Sequence, residues 1–124
     1  MKNLNELRKK VRNSLNKYPR ATKVFIEDGC VNVSYHNTDV CVIQPIGANG
    51  YGVTLDTNGW QTPTTKKRMN DVLSGLGFGN WGVYQKNHVW FVNTGDRWGK
   101  NDRTEYRDGM QLVINNKGEK AVKK

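Results

Sequence analysis

Two strand-like runs and the polar turn between them decide the fold class of this sequence: VNVSYH at 31–36, NTD at 37–39 and VCVIQ at 40–44. In the first run apolar and polar residues alternate, which is the period of a strand with one solvated face. The second run is rich in β-branched residues, which strands favour. Because a short turn joins the two runs, they predict an antiparallel hairpin.

Further strand-like segments lie on both sides of this hairpin. We predict strands at 23–27, 51–56, 81–85, 89–93 and 110–114. Asp28-Gly29 and Asn58-Gly59 are typical turn sequences. Since short turns dominate, the sheet is expected to be mainly antiparallel. Residues 94–108 predict a long polar loop, and 115–124 predict a flexible basic tail.

Two helices are expected. Apolar residues recur every three or four positions through 3–18, which predicts an amphipathic helix that ends before Pro19. These apolar residues are Leu4, Leu7, Val11, Leu15 and Tyr18. A second helix is predicted over 62–76, because Thr62 suits an N-cap and Pro63 suits the first helical position. Gly75 or Gly77 is expected to end it.

The predicted fold class is therefore α+β. A chain of 124 residues is long enough for one hydrophobic core. We expect a single domain over 1–114, with a basic helix within 1–20. Residues 21–114 are expected to form a sheet of about five to seven short strands plus the helix at 62–76, with the helices on one face.

Composition excludes a membrane-spanning protein. Hydrophobic residues make up 35% of the chain, and no apolar run approaches the roughly 18 residues that a membrane helix needs. The basic N-terminus has no continuous apolar stretch of the kind that a secretory signal contains. We therefore expect a protein that stays in the cytoplasm and has no membrane partner.

Positive charge is concentrated at the start of the chain. The net charge is +9, and residues 1–23 carry eight lysines and arginines against one acid. Such a patch attracts polyanions because condensed counterions are released on binding, so DNA or RNA is the expected partner. The predicted contacts are Arg8, Lys9, Arg12 and Lys17 in the first helix and Lys66, Lys67 and Arg68 in the second. The alternative is a basic surface that only keeps the protein soluble.

Aromatic residues supply a second indication of nucleic-acid binding. Trp90 and Phe91 are adjacent on a predicted strand, so their side chains must point to opposite faces of the sheet. An aromatic ring left exposed beside cations can stack on the bases of single strands. Trp98, in the loop sequence GDRWG, is the predicted exposed ring. The alternative for each aromatic residue is packing in the core.

Nucleotide-binding and metal-binding motifs are not supported. The glycines of GFGNWG at 77–82 match the letters of a dinucleotide fingerprint, but they follow a helix and open a strand, which is the reverse of the required order. Two cysteines and two histidines lack the spacing of a zinc site. A disulfide between Cys30 and Cys41 is not expected from the predicted hairpin. We therefore predict no metal and no cofactor.

Catalysis is also not predicted. Carboxylates cluster in the long loop and could bind Mg²⁺, but basic residues interleave with them, which is typical of a solvated surface. These carboxylates are Asp96, Asp102, Glu105 and Asp108. The expected protein is not an enzyme and takes no small-molecule substrate.

Residues 58–70, NGWQTPTTKKRMN, resemble a family of small uncharacterised proteins of tailed bacteriophages with the pattern Gly-Trp-x-Thr-x-Thr-Thr-Lys-x-Arg-hydrophobic-Asn. VYQKNHVWFV at 83–92 and DGM at 108–110 resemble its second and third blocks. The resemblance covers about 31–114 and leaves the N-terminal helix outside. It implies a phage accessory protein of the host bacterial cytoplasm, with no agreed activity. The polar residues around Thr62 would suit an anion site or a capping network equally.

Three functions remain open on this evidence. The first is nucleic-acid binding through the basic N-terminal helix. The second is binding and inhibiting or redirecting a host protein complex, for which the basic surface would dock on an acidic patch. The third is a component of the virion or of its assembly.

Overall fold

Two helices and nine strands form the fold in the computed structural model, which describes residues 4–16, 22–36, 38–47, 50–59, 61–79, 81–94 and 103–123. The helices are α1 (Leu4–Ser14) and α2 (Pro63–Gly75). The strands are β1 (Thr22–Glu27), β2 (Cys30–Tyr35), β3 (Thr38–Ile46), β4 (Gly50–Leu55), β5 (Val83–Lys86), β6 (Val89–Asn93), β7 (Arg103–Glu105), β8 (Met110–Ile114) and β9 (Lys120–Lys123).

The strands form two antiparallel sheets. The larger sheet has the order β1-β2-β3-β4-β8-β9, and the smaller has the order β5-β6-β7. The segment containing α2 and the small sheet is inserted between β4 and β8, which pair directly. The α+β prediction is confirmed, although there are more strands than the five to seven expected.

The pairing of residues in the large sheet shows which of its two faces packs into the core. Side chains of directly paired residues project to the same side, and one such row crosses five strands. The row consists of Val24, Val33, Cys41, Leu55 and Met110. Its three central members are fully buried. The two helices cover this face, with α1 contacting β1 and β2 while α2 contacts β3 and also β5.

The apolar stripe of α1 anchors the helix to the core. Leu7, Val11 and Leu15 are at most 1% exposed, as the helical spacing predicted. The helix ends at Ser14, before the predicted end at residue 18, because the chain forms a tighter turn at this point. The Leu15 N–H donates to the Arg12 carbonyl at 3.0 Å, and the Ser14 hydroxyl donates to the Val11 carbonyl at 2.7 Å. Tyr18 lies outside the described residues.

Both ends of α2 follow the sequence prediction. The Thr62 hydroxyl accepts a hydrogen bond from the Thr65 N–H, so Thr62 is the N-cap. At the other end Gly77 has a φ of +93°, which glycine adopts without strain. Its N–H donates to the Ser74 carbonyl, and the Phe78 N–H donates to the Leu73 carbonyl at 3.0 Å. These two bonds form a Schellman motif.

Two strands lie where the sequence predicted none. β7 falls inside the predicted loop at 94–108, and β9 falls inside the predicted flexible tail at 115–124. The prediction of a tail is corrected: β9 pairs with β8, and Asn115 Oδ1 organises the turn by accepting from the N–H groups of Lys117 and Glu119 at 2.9 Å each. Both strands are short and polar. They form because they pair with neighbouring strands, and their sequences carry no alternating apolar pattern that would predict a strand.

Neither helix of the described chain combines the length and the apolar character required to cross a bilayer.

Candidate nucleic-acid interface

The side of α1 that faces away from the core carries cations. Lys9 and Lys10 are exposed, and Arg8 is half-buried. Lys10 Nζ lies 5.7 Å from the centre of the Tyr51 ring, within the range of a cation–π contact. Within the part of the chain that the structure describes, no ion pair engages Arg8, Lys9 or Lys10.

Thr22 accepts hydrogen bonds from one predicted basic contact in each helix. An Arg12 guanidinium N–H donates to the Thr22 carbonyl at 3.3 Å, and Arg68 Nε donates to the Thr22 hydroxyl at 2.8 Å. The middle of α2 is thereby held beside the second half of α1. Arg12 and Arg68, which are far apart in the sequence, are therefore neighbours in the fold.

Arg68 is not available to a phosphate, which corrects its predicted role. Its side chain is 7% exposed, and its guanidinium also donates to the Thr64 carbonyl at 2.9 Å. The guanidinium carbon lies 3.9 Å from the centre of the Tyr35 ring. Three successive cations at 66–68 look equivalent in the sequence, but one lies on the inward side of the helix.

The other predicted contacts have different surroundings. Lys67 is exposed, whereas Lys66 is half-buried with Nζ 5.6 Å from the centre of the Trp90 ring. Lys17 and Trp98 lie outside the described residues, as do Asp96 and Asp102.

Hydroxyl groups cluster at the start of α2. Thr62 Oγ1 lies 3.1 Å from Thr64 Oγ1 and 3.0 Å from Thr65 Oγ1, and the Tyr35 hydroxyl donates to Thr64 Oγ1 at 3.2 Å. These residues line one wall of a cleft of about 370 Å³ that also reaches Thr57. The hydroxyls bond to one another and to the helix backbone, so the structure shows a capping network here.

Asp108 fastens the turn after β4 to the start of β8. Its carboxylate accepts hydrogen bonds from the Thr57 N–H and hydroxyl, both at 2.8 Å, and from the Tyr106 hydroxyl at 2.7 Å. Partial burial alone would raise the pKa of Asp108, but the hydrogen bonds from Thr57, Tyr106 and the Gly59 N–H outweigh it and lower the pKa. Burial, together with this carboxylate, raises the pKa of Tyr106.

The thiols and imidazoles are dispersed. Cys41 is buried, and burial raises its pKa to about 12, while Cys30 is half-buried; both are free thiols. His36 and His88 are exposed residues of turns. Among the described residues, no three His, Cys, Asp or Glu side chains gather in a way that would hold a metal ion.

The two aromatic residues of β6 point to opposite faces of the small sheet, as predicted. Trp90 is 4% exposed and packs edge-on against Tyr106, with ring centres 5.5 Å apart. Phe91 is half-buried on the other face beside Tyr84. Trp98 was the predicted exposed ring, and the pairing of Tyr84 with Phe91 was not predicted. Tyr84 and Phe91 lie at equal distances from the turn at 87–88, a spacing that identifies cross-strand partners.

The sequence matches the family model of the Kyanoviridae Gp96 protein over residues 2–113. The chain belongs to this family of phage proteins. Nothing among the curated proteins or the solved structures matches it. The Gp96 match includes α1, which corrects the expectation that the resemblance begins at about residue 31 and leaves the basic helix outside.

Side-chain hydrogen bonds involve residues at or beside the ends of the segments 58–70, 83–92 and 108–110. Asn70, which ends the first block, receives the Val83 N–H on Oδ1 at 2.6 Å and donates to the Val83 carbonyl at 2.9 Å. Val83 begins the second block. Asp108, which begins the third, binds Thr57 next to the first. Asn70 therefore ties α2 to β5, and Asp108 ties the turn after β4 to the start of β8.

Proposed function

We propose that this phage protein binds nucleic acid through the α1 basic face, which we define as Arg8, Lys9 and Lys10. The observation that carries the proposal is the placement of this face on a helix anchored by fully buried apolar residues. Because the anchored helix holds them, the three cations project from fixed backbone positions. Lys67 on the neighbouring α2 is a further exposed cation.

The charge distribution supports a polyanionic partner. The chain carries +9 overall, and its first 23 residues contribute most of the excess. Each phosphate that such a surface neutralises releases condensed counterions, so affinity should fall steeply with salt. The Gp96 family match includes α1. The phage origin supports action inside an infected bacterial cell, and we place the protein in the host cytoplasm.

We further propose a binding role without catalysis. Asp108 accepts several hydrogen bonds from the chain itself, and Cys41 is buried with a raised pKa. Both groups are thus engaged in the fold, which supports a protein that acts by contact alone.

Fluorescence anisotropy with labelled DNA and RNA, over a series of salt concentrations, tests the proposal. The test variant is Arg8→Gln/Lys9→Gln. The matched control is Arg107→Gln/Lys117→Gln, which removes the same charge from exposed positions outside α1. The test variant should bind more weakly and should flatten the plot of log affinity against log salt by about 0.7–0.9 for each lost phosphate contact.

Two outcomes would contradict the proposal. Equal loss in the test and control variants would mean that net charge alone matters and that α1 is not the interface. If the wild-type protein binds neither DNA nor RNA at low salt, the proposal of nucleic-acid binding fails altogether.

The alternative function is docking of the same basic face on an acidic surface of a host protein. Membership of a phage family supports this alternative. A pull-down from host lysate after nuclease treatment distinguishes the two. A stoichiometric protein partner that is retained by the wild type and lost by Arg8→Gln/Lys9→Gln would favour it.

A further inference from the structure

The outer face of the small sheet carries two stacked aromatic rings. Tyr84 and Phe91 are directly paired across β5 and β6, with ring centres 5.7 Å apart and ring planes at 29°. The adjacent strand β7 brings Arg103, whose guanidinium carbon lies 4.5 Å from the centre of the Phe91 ring. We call Tyr84, Phe91 and Arg103 the aromatic platform.

The described side chains of this face are partly or fully exposed. Tyr84 and Phe91 are half-buried, and the neighbouring Val89 is 39% exposed. On the opposite face of the same strands, Val83, Trp90 and Val92 are at most 4% exposed. A cross-strand aromatic pair can stabilise a sheet by itself. That role explains why the rings pair, but it does not require them to lie on the accessible face.

Charge on this face favours an anionic partner. Lys86 and Arg103 share it with one acid of the described strands, Glu105, and all three side chains are exposed. A guanidinium over an aromatic ring can extend the flat surface and also pair with a phosphate. Partly accessible rings with adjacent cations suit single-stranded nucleic acid, because its bases stack on aromatic rings while its backbone follows positive charge.

We propose that the aromatic platform stacks the unpaired bases of single-stranded nucleic acid. This inference rests on the proposed function and gives the substrate a class, since the bases of a duplex are already stacked on one another and cannot cover the rings. The α1 basic face then supplies affinity for phosphate, and the platform supplies the preference for single strands.

Binding of an oligothymidylate and of a duplex of the same length tests this inference. The test variant is Phe91→Leu, which keeps apolar bulk but removes the flat ring. The matched control is Phe25→Leu, the same change at a half-buried phenylalanine of the large sheet. Phe91→Leu should weaken oligothymidylate binding at least about fivefold, the lower end of the effect of one lost stacked base. It should leave duplex binding unchanged, and Phe25→Leu should change neither.

Failure of the platform and failure of the proposed function give different results. If the wild type binds both ligands and Phe91→Leu behaves as Phe25→Leu does, the proposed role of the aromatic platform is wrong. The proposal of nucleic-acid binding is then unaffected. If the wild type binds neither ligand, both proposals fall.

A second measurement on the wild-type chain does not depend on the folding of a variant. Ultraviolet irradiation with the oligothymidylate, followed by mass spectrometry, should cross-link a peptide that contains residues 84–91. Cross-links confined to other peptides would overturn the inference.

Discussion

Arg12 and Arg68, which are 56 positions apart, donate hydrogen bonds to the two oxygens of one residue, Thr22. The cost of bringing two guanidinium groups together is offset by these acceptors and, for Arg68, by the face of the Tyr35 ring. The contact fixes α1 against α2 at the start of β1. These two arginines therefore act within the fold.

Arg68→Lys is expected to destabilise the protein although it keeps the charge. A lysine ammonium cannot reproduce the planar fork that reaches Thr22 and the Thr64 carbonyl while lying against Tyr35. The free energy of unfolding should fall by about 2 kcal/mol, because hydrogen bonds of a charged group are lost in a buried place. Urea denaturation measures it. Arg8→Lys, on the accessible side of α1, is the control, and an equal effect of the two changes would refute the assignment.

Asn70→Asp should loosen the attachment of the small sheet to α2. The amide side chain satisfies both backbone groups of Val83, whereas a carboxylate would set an oxygen against the Val83 carbonyl. The expected loss is about 1–3 kcal/mol in the free energy of unfolding. Amide hydrogen exchange should show faster exchange in β5 and β6 than in β2. Unchanged exchange in β5 would contradict this role. Asn13→Asp, on an exposed residue of α1, serves as the comparison.

Acid should destabilise the wild type more than Asp108→Asn. Hydrogen bonds lower the pKa of Asp108 in the folded chain, so its contribution to stability is present above the ordinary value of 3.8 and is lost as the pH falls through the lower folded value. Denaturation at several pH values from neutral to below 3.8 measures this difference. The variant should be less stable at neutral pH and should show a shallower acid dependence. Asp39→Asn, at an exposed carboxylate, is the control, and equal slopes for wild type and Asp108→Asn would exclude the effect.

Gly75→Ala should destabilise the fold, although alanine favours helices over glycine by about 1 kcal/mol. A Cβ at this position would lie 2.8 Å from the Cβ of Ser14, where the ends of α1 and α2 meet. We expect the melting temperature to fall, because overpacking at such contacts costs about 1–3 kcal/mol. Ser14→Gly/Gly75→Ala removes the clash and should recover part of the loss. A melting temperature that rises in Gly75→Ala would show that the helices adjust freely.

Local patterns predicted most of the elements. The alternation in 31–35 and the three-and-four spacing of Leu7, Val11 and Leu15 led to β2 and α1 because each depends only on the directions of neighbouring side chains. Thr62 and Gly77 marked the ends of α2 for similarly local reasons. β7 and β9 were missed because they are short, polar strands that exist by pairing with β6 and β8.

Some features of the candidate sites could likewise be predicted from local sequence, and others could not. The sequence predicted a cationic α1, since the helical period alone separates its apolar residues from its charged ones. It could not show that Arg68 turns inward, because its acceptors lie on Thr22 and Thr64, and Thr22 is distant in the chain. It also could not show that Tyr84, Phe91 and Arg103 meet, since that requires the pairing of three strands.

The amino-acid sequence by itself determined an α+β chain with a basic amphipathic N-terminal helix, because helices and strands follow from periods of a few residues. Only the tertiary structure decided which cations make contacts within the fold and which aromatic rings lie on an accessible face. Those outcomes depend on groups far apart in the chain, and their positions are set only when both sheets and both helices pack around the common core.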